Sequence, residues 1–345
     1  MLNKIQISEI KEHLEKAQNP VFFFDNDCDG LCSFLLLQRF IGRGKGVAIK
    51  SFPALDETYF RKVEELNADY VFILDKPHVS EEFFKRVQQI NLPVVWIDHH
   101  DVELKVPDFV DYYNVVLNFP STNEPVTAIC YEIVKQKKDL WLAVIGCITD
   151  SFLPSFYDEF AKDFPDLAIK ATTPFDVLYK SKIGEISKLL NNGLKDKTTN
   201  VVNMLRLLMG ANSPYELLEE NNKTYTLHKR AKELDEKYKI LLEKGKKIGK
   251  KSDKILFFQY AGNLSISAEL SNELSYIFPE KIVVVVYVRG TKVNLSLRGK
   301  NIRERFLKVI ETIEGAVGGG HRNAVGGVIS PDHLEEFRKK LEKNI

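Results

Sequence analysis

Cysteine is scarce in this chain. Four occur in 345 residues, Cys28, Cys32, Cys130 and Cys147. None forms a C-x-x-C pair, which argues against a zinc ribbon, and their scatter fits a reducing compartment. Excess charge is lacking too: 49 Lys+Arg against 48 Asp+Glu leave a net charge of +1. A chain coated in positive charge would bind nucleic acid avidly and without regard to sequence. Here any such contact must come from local charge. No stretch approaches the ~18 consecutive apolar residues of a membrane span. The opening residues, MLNKIQISEIKEHLEKA, are charged and helix-like and lack the apolar core of a signal peptide. These absences point to a cytoplasmic protein that makes no use of a membrane.

What is present is ordinary globular material, 44% hydrophobic and 28% charged, in a length that suggests two domains of about 100–200 residues each. PVFFFD (20–25) reads as a buried strand and DGLCSFLLLQRFI as a helix. KGVAIKSF is a strand, ETYFRKVEEL a helix and DYVFILD (69–75) a strand. SEEFFKRVQQI is a helix and PVVWID (93–98) a strand. Strands alternating with helices of 10–15 residues imply a parallel sheet covered on both faces. VTAICYEIVKQ, LWLAVIGCITD and much of 175–248 read as helical. The charged run NNKTYTLHKRAKELDEKYKILLEKGKKIGKK reads as a long, mostly solvated helix ending near residues 249–252; its lysines are either a solvated helix end or a contact for phosphates. A second α/β pattern follows: strands ILFFQY, KIVVVVYV and KVNLSLR, helices SAELSNELSYIF, IRERFLKVIETI and HLEEFRKKLEK, and the glycine-rich GAVGGGHRNAVGG. The fold class expected is α/β, with an N-terminal domain over 1–195, a helical linker over 196–252 and a smaller C-terminal α/β domain over 253–345.

Ligands of a parallel α/β sheet collect outside the carboxyl ends of its strands. Three of the expected strands end there in acids. FFFD runs into Asp25, Asn26, Asp27, Cys28, Asp29 and Gly30; VFIL runs into Asp75; VVWI runs into Asp98, His99 and His100. Asp150 closes LAVIGCITD. Clustered carboxylates repel, and burying them unpaired is costly. Divalent cations resolve the conflict, and oxygen ligands with some imidazole suit manganese or magnesium, with zinc or iron as alternatives. Two ions about 3.5–4 Å apart can activate water and hold a phosphate for in-line attack. Taken singly, each piece has a plainer reading. Asp25-Asn26-Asp27 suits a helix N-terminus, and His99-His100 suits a polar turn. DNDCDG also matches the start of a calcium loop, but Leu36 stands where that loop needs Glu.

Asp27-x-Asp29-Gly30, Asp75, Asp98-His99-His100 and Asp150, in this order, resemble the four motifs of DHH phosphoesterases. KVNLSLRG followed by GGGHRNAVGG (318–327) resembles the DHHA1 domain that accompanies them. The resemblance implies two divalent cations, Mn²⁺ first and Mg²⁺ second. Asp27 would bind one, Asp29 the other, and Asp75 would bridge them. His99 and Asp150 would complete the second site. His100 would face the substrate phosphate or support the metal ligands, Asp98 would orient a histidine, and Thr149 would help to position Asp150. Many members carry a histidine four residues before the first Asp of D-x-D. Here that residue is Phe23, so that either Asp25 supplies the missing ligand or the first metal site is weaker. The D-x-D-x-D-G form is similar to the RecJ-like branch.

The C-terminal glycines, Gly318, Gly319 and Gly320, would let backbone N–H groups approach an anion, with His321, Arg322 and Arg298 adding hydrogen bonds to phosphate. Tight turns are the plainer role for them. The implied activity is a RecJ-like exonuclease on single-stranded DNA or RNA, its strand held between two domains. The alternatives are a phosphodiesterase of short oligonucleotides, cyclic dinucleotides or 3′-phosphoadenosine 5′-phosphate, and a silent scaffold for replication or repair proteins. The length leaves no room for a further nucleic-acid-binding module, which favours short substrates or a replication or repair partner.

Overall fold

The computed structural model describes residues 1–51, 54–120 and 122–344. The chain divides into two compact units, Met1–Ala231 and Lys232–Ile345.

The first unit is built on five parallel strands: β1 (Pro20–Asp25), β2 (Lys45–Ile49), β3 (Tyr70–Leu74), β4 (Val94–Asp98) and β5 (Val110–Asn114), in the order β2-β1-β3-β4-β5. The apolar runs are long because both sheet faces are covered, as a parallel sheet requires. Alternation along each strand sends residues to two cores. Phe22, Phe24, Phe72, Leu74, Val95 and Ile97 face a helical layer. Val21, Phe23, Val71, Ile73, Val94 and Trp96 face a smaller layer that includes Phe60, Val63, Phe83 and Val87.

The larger layer centres on α1 (Cys28–Ile41), whose residues from Cys28 to Gln38 are all buried. Gly42, left-handed at φ 69°, ends it. Around it lie α2 (Val126–Val134), α3 (Leu140–Thr149) and α4 (Lys182–Leu194). The KGVAIKSF strand ends at Ile49, and its Phe52 lies outside the described residues. Strand β5 has no counterpart in the sequence reading. VDYYN is too polar to stand out, since Asp111 is exposed and Tyr112 half-buried at the sheet edge.

The long charged helix α5 (Tyr225–Lys251) contains the boundary between the units. The second unit is a mixed sheet of β6 (Ile255–Ala261), β7 (Ile282–Arg289), β8 (Lys292–Arg298), β9 (Val317–His321) and β10 (Ala324–Ile329), ordered β9-β10-β8-β7-β6. Only β6 and β7 pair in parallel. Val283, Val285 and Tyr287 pack under α6 (Ser267–Ile277) through Leu270 and Leu274. Val284 and Val286 face α7 (Ile302–Ile310) and α8 (Leu334–Lys343) through Phe306 and Phe337. The expected glycine loop is a strand. Gly318, Gly319 and Gly320 pair with Gly327, Gly326 and Val325 along the sheet edge. No helix of the described residues is long and apolar enough to cross a membrane.

Candidate metal centre

Strands β1, β3 and β4 are neighbours, so their carboxyl ends deliver Asp25, Asp75 and Asp98 to one rim. Asp75 N–H still donates to Ile97 O at 3.0 Å, continuing the ladder. Its φ of 59° then turns the chain sharply, a left-handed conformation that costs a non-glycine residue about 1–3 kcal/mol. Asp150 ends α3, and the next residue, Ser151, is also left-handed at φ 60°. Strained backbone therefore stands beside two of the four expected motifs.

Asp29 opens α1 and is almost wholly buried. Its two carboxylate oxygens accept from Val126 N–H at 3.0 Å and Thr127 N–H at 2.7 Å, the first residues of α2. A carboxylate at a helix N-terminus gains the partial positive charge of the unpaired amides there. Thr127 Oγ1 returns a hydrogen bond to Asp29 O at 2.9 Å. Asp27 caps α1 by accepting from Gly30 N–H at 2.9 Å. Gly30 itself is required by close approach, because a Cβ there would lie 2.5 Å from Asp25 O.

His99 sits among the acids and is also buried. Its Nε2 lies 3.2 Å from Asp75 Oδ1 and 3.9 Å from Asp29 Oδ2, and its Nδ1 lies 3.8 Å from Asp150 Oδ2. Ligand atoms of Asp29, Asp75 and His99 all fall within 4.8 Å of one another. His100 takes a different partner. Its Nδ1 is 2.8 Å from Asp98 Oδ1, and Asp98 also accepts from Tyr112 Oη at 3.4 Å. Asn114 Nδ2 donates to His100 O at 2.9 Å and to Tyr112 Oη at 2.8 Å. Asp98 is fully buried, and its ligand atom also lies within 4.8 Å of those of Asp75 and His100. Tyr112 and Asn114, both on β5, were missed because that strand was missed. Thr149 does not act on Asp150, since its hydroxyl donates back to the carbonyls of Ile145 and Gly146.

The electrostatics show what these groups lack. Burial, then the charges of Asp25 and Asp29, pushes the Asp27 carboxyl up to about 8. Burial and then Asp150 raise Asp29 to about 6, and burial raises Asp150 to about 7. Asp75 rises well above the carboxylate range through burial and then the charge of Asp29. Burial, with His100 beside it, lowers His99 and favours the neutral imidazole, the form that ligates metal. Burial pulls His100 down as well, but the hydrogen bond and charge of Asp98 outweigh it and lift His100 to about 9. Asp75 Oδ1 is buried and makes no hydrogen bond, although His99 Nε2 lies 3.2 Å away. An orphaned buried carboxylate oxygen among raised carboxyls and a neutral imidazole is what a divalent cation would satisfy. The donor set fits the group.

Asp25 goes elsewhere. Its Oδ1 accepts from Lys76 Nζ at 2.7 Å, a cation that was not singled out in the sequence. The only signal for Lys76 was its position between a strand-terminal Asp and a Pro.

In the second unit, Arg298 is held within its own sheet and helix layer. Its Nε donates to Asn272 Oδ1, and its guanidinium reaches Leu297 O at 2.8 Å and Ser296 Oγ at 3.3 Å. Arg322 lies at the tip of the β9-β10 hairpin and donates to Asn301 Oδ1 at 2.6 Å. His321, at the end of β9, is exposed. The glycines have separate reasons. A Cβ on Gly318 would sit 2.5 Å from the buried ring of Phe306, Gly319 faces open space, and Gly320 has φ 134°.

The comparisons agree with this architecture. Residues 253–345 match the DHHA1 domain. The structure resembles RecJ of Thermus thermophilus, solved with Mn²⁺, with a TM-score of 0.66 at 14% identity over 98% of this chain. The chain has a DHH/DHHA1 fold of the RecJ type. It spans 54% of the length of that RecJ. The DHH domain of a member of the s1p family of ribosomal proteins gives a TM-score of 0.71 at 15% identity, over 99% of this chain and 90% of the other. A pGpG-specific phosphodiesterase of Vibrio cholerae gives 0.51 at 14% identity, over 95% of this chain and 99% of the other. No curated protein matches this DHH/DHHA1 chain by sequence.

Proposed function

We propose that this chain is a divalent-cation-dependent phosphodiesterase, an exonuclease on single-stranded DNA or RNA in the manner of RecJ. The observation that carries the reading is the Asp29–Asp75–His99 cluster at the carboxyl rim, with a buried Asp75 oxygen that makes no hydrogen bond. Asp29, Asp75, His99 and Asp150 would hold the cation, Mn²⁺ in preference to Mg²⁺. When bound, that cation supplies Lewis-acid charge at the phosphoryl group and makes a bound water more acidic. The amides of Val126 and Thr127 fix Asp29 so that it does not rotate away when the cation leaves. Asp98 fixes the His100 ring, which donates to the substrate phosphate. Gly318, Gly319 and Gly320, with His321, Arg322 and Arg298, supply backbone and side-chain donors to the anionic substrate. The lysines of α5 add local charge for a strand. A replication or repair protein is the partner class that suits such an exonuclease.

The near-neutral charge and the likeness to a pGpG-specific phosphodiesterase favour a second reading, hydrolysis of very short oligonucleotides. End-labelled single-stranded DNA and RNA, dinucleotides and 3′-phosphoadenosine 5′-phosphate, each incubated with Mn²⁺, separate the two. Progressive shortening of the long strands supports the exonuclease. Cleavage confined to the small substrates replaces it with the second reading.

A further inference from the structure

Lys76 is about 1% exposed, and a buried ammonium persists only where it is paired. Its partners include Asp25 Oδ1 at 2.7 Å and Ser51 O at 3.0 Å. Its backbone is pinned as well, since the buried Trp96 indole N–H donates to Lys76 O at 2.9 Å. The left-handed turn at Asp75 makes the arrangement. It lets consecutive residues part, so that Asp75 joins His99 while Lys76 joins Asp25. Asp25 borders a cavity of about 270 Å³ whose lining residues include Lys50, Lys76 and Lys195. A second divalent ion on Asp25 would meet the Lys76 ammonium, already 2.7 Å from its Oδ1. Among the described residues, no group of three clustered metal-ligand atoms includes Asp25 or Asp27; the group Asp75, Asp98 and His100 shares Asp75 with the first site, and its Asp98 Oδ1 and His100 Nδ1 already face each other at 2.8 Å.

We propose that Lys76 is a resident cation of this centre. It holds Asp25 out of the ligand set, and the resting protein binds one divalent ion, at Asp29, Asp75, His99 and Asp150. The inference rests on the metal-centre reading above and replaces the pair of ions expected from the sequence. Lys76 acts as a positioning residue through Asp25. In the variant Lys76→Met, Asp25 is freed; it is already about 30% exposed on its side chain, so water can cover it while no cation is bound.

The test is a calorimetric titration of the chelator-stripped full chain with Mn²⁺, checked by metal analysis after gel filtration. The wild type should bind one Mn²⁺ per chain. Lys76→Met should bind two, the second site tightening by roughly 10–100-fold, the range seen when groups behind a metal ligand are changed. Lys76→Met combined with Asp25→Asn should return to one. Two ions of comparable affinity in the wild type would overturn the inference and leave the metal-centre reading standing. No bound ion would overturn both. One ion in the wild type and still one in a folded Lys76→Met would remove Lys76 from the account. The wild-type count stands as a test by itself if the variant does not fold.

Discussion

The two units bring polar chemistry to their sheets in opposite ways. In the first, the polar groups are buried acids at the ends of apolar strands, disfavoured by burial and by one another's charge. Asp75 Oδ1 is the extreme case. In the second, the polar groups are exposed or half-buried and already have partners: exposed Arg322 has Asn301, and half-buried Arg298 has Asn272, Ser296 and Leu297 O. The first arrangement is costly for folding alone and therefore points to a ligand. The second is stable as it stands, and its glycines satisfy packing on Phe306 and a positive φ whether or not an anion arrives. The first unit thus holds the groups that a ligand would satisfy, and the second holds together without one.

The comparison breaks most readily at Asp75 and His99. Asp75→Asn or His99→Ala should lower hydrolysis by at least about 10²–10³-fold, the loss expected when one preorganised electrostatic contact to a reacting group disappears. For Asp75→Asn, thermal unfolding without metal should be unchanged or slightly later, because a buried carboxyl that burial and the charges of Asp29 and Asp27 disfavour has been replaced by a neutral amide. Near-normal rates would dismiss the metal assignment. Asp98→Asn should cost less, about 10–100-fold in rate, since it loosens His100 rather than removing a ligand; Mn²⁺ affinity measured by calorimetry should be almost unaffected. In the second unit, Gly318→Ala should destabilise by about 1–3 kcal/mol by forcing the buried Phe306 aside. Gly319→Ala should stay within about 0.5 kcal/mol. Urea denaturation of the two variants decides it, and equal losses would reject the packing account. The smallest effect is expected for His321→Ala: KM rises about tenfold, as for one hydrogen bond to a charged group, with Mn²⁺ binding unchanged. If KM stays put, the substrate role of β9 is wrong.

Much of this was legible because burial and periodicity coincide. FFFD, VFIL and VVWI are apolar on both faces, so their strand character and their acidic ends were readable together. Asp98-His99-His100 was readable as a unit, but the division of labour within it was not. Which imidazole meets Asp75 and which meets Asp98 depends on the turn after β4 and on Tyr112 and Asn114 from β5. That strand alternates too weakly to declare itself. The glycine-rich run read as a loop because glycine is rare in strands; here a hairpin pairs glycines across from glycines so that Phe306 can pack over them. Lys76 was invisible for another reason. A lysine is expected at the surface, and only the left-handed backbone at Asp75 and the nearness of Asp25 explain its burial.

The most direct test is the rate of single-strand hydrolysis by the chelator-stripped chain as Mn²⁺ is returned, run beside Asp75→Asn. The account predicts no hydrolysis without metal, a saturable rise with Mn²⁺, and almost none in the variant. Hydrolysis that persists in chelator, or that survives intact in Asp75→Asn, would contradict it.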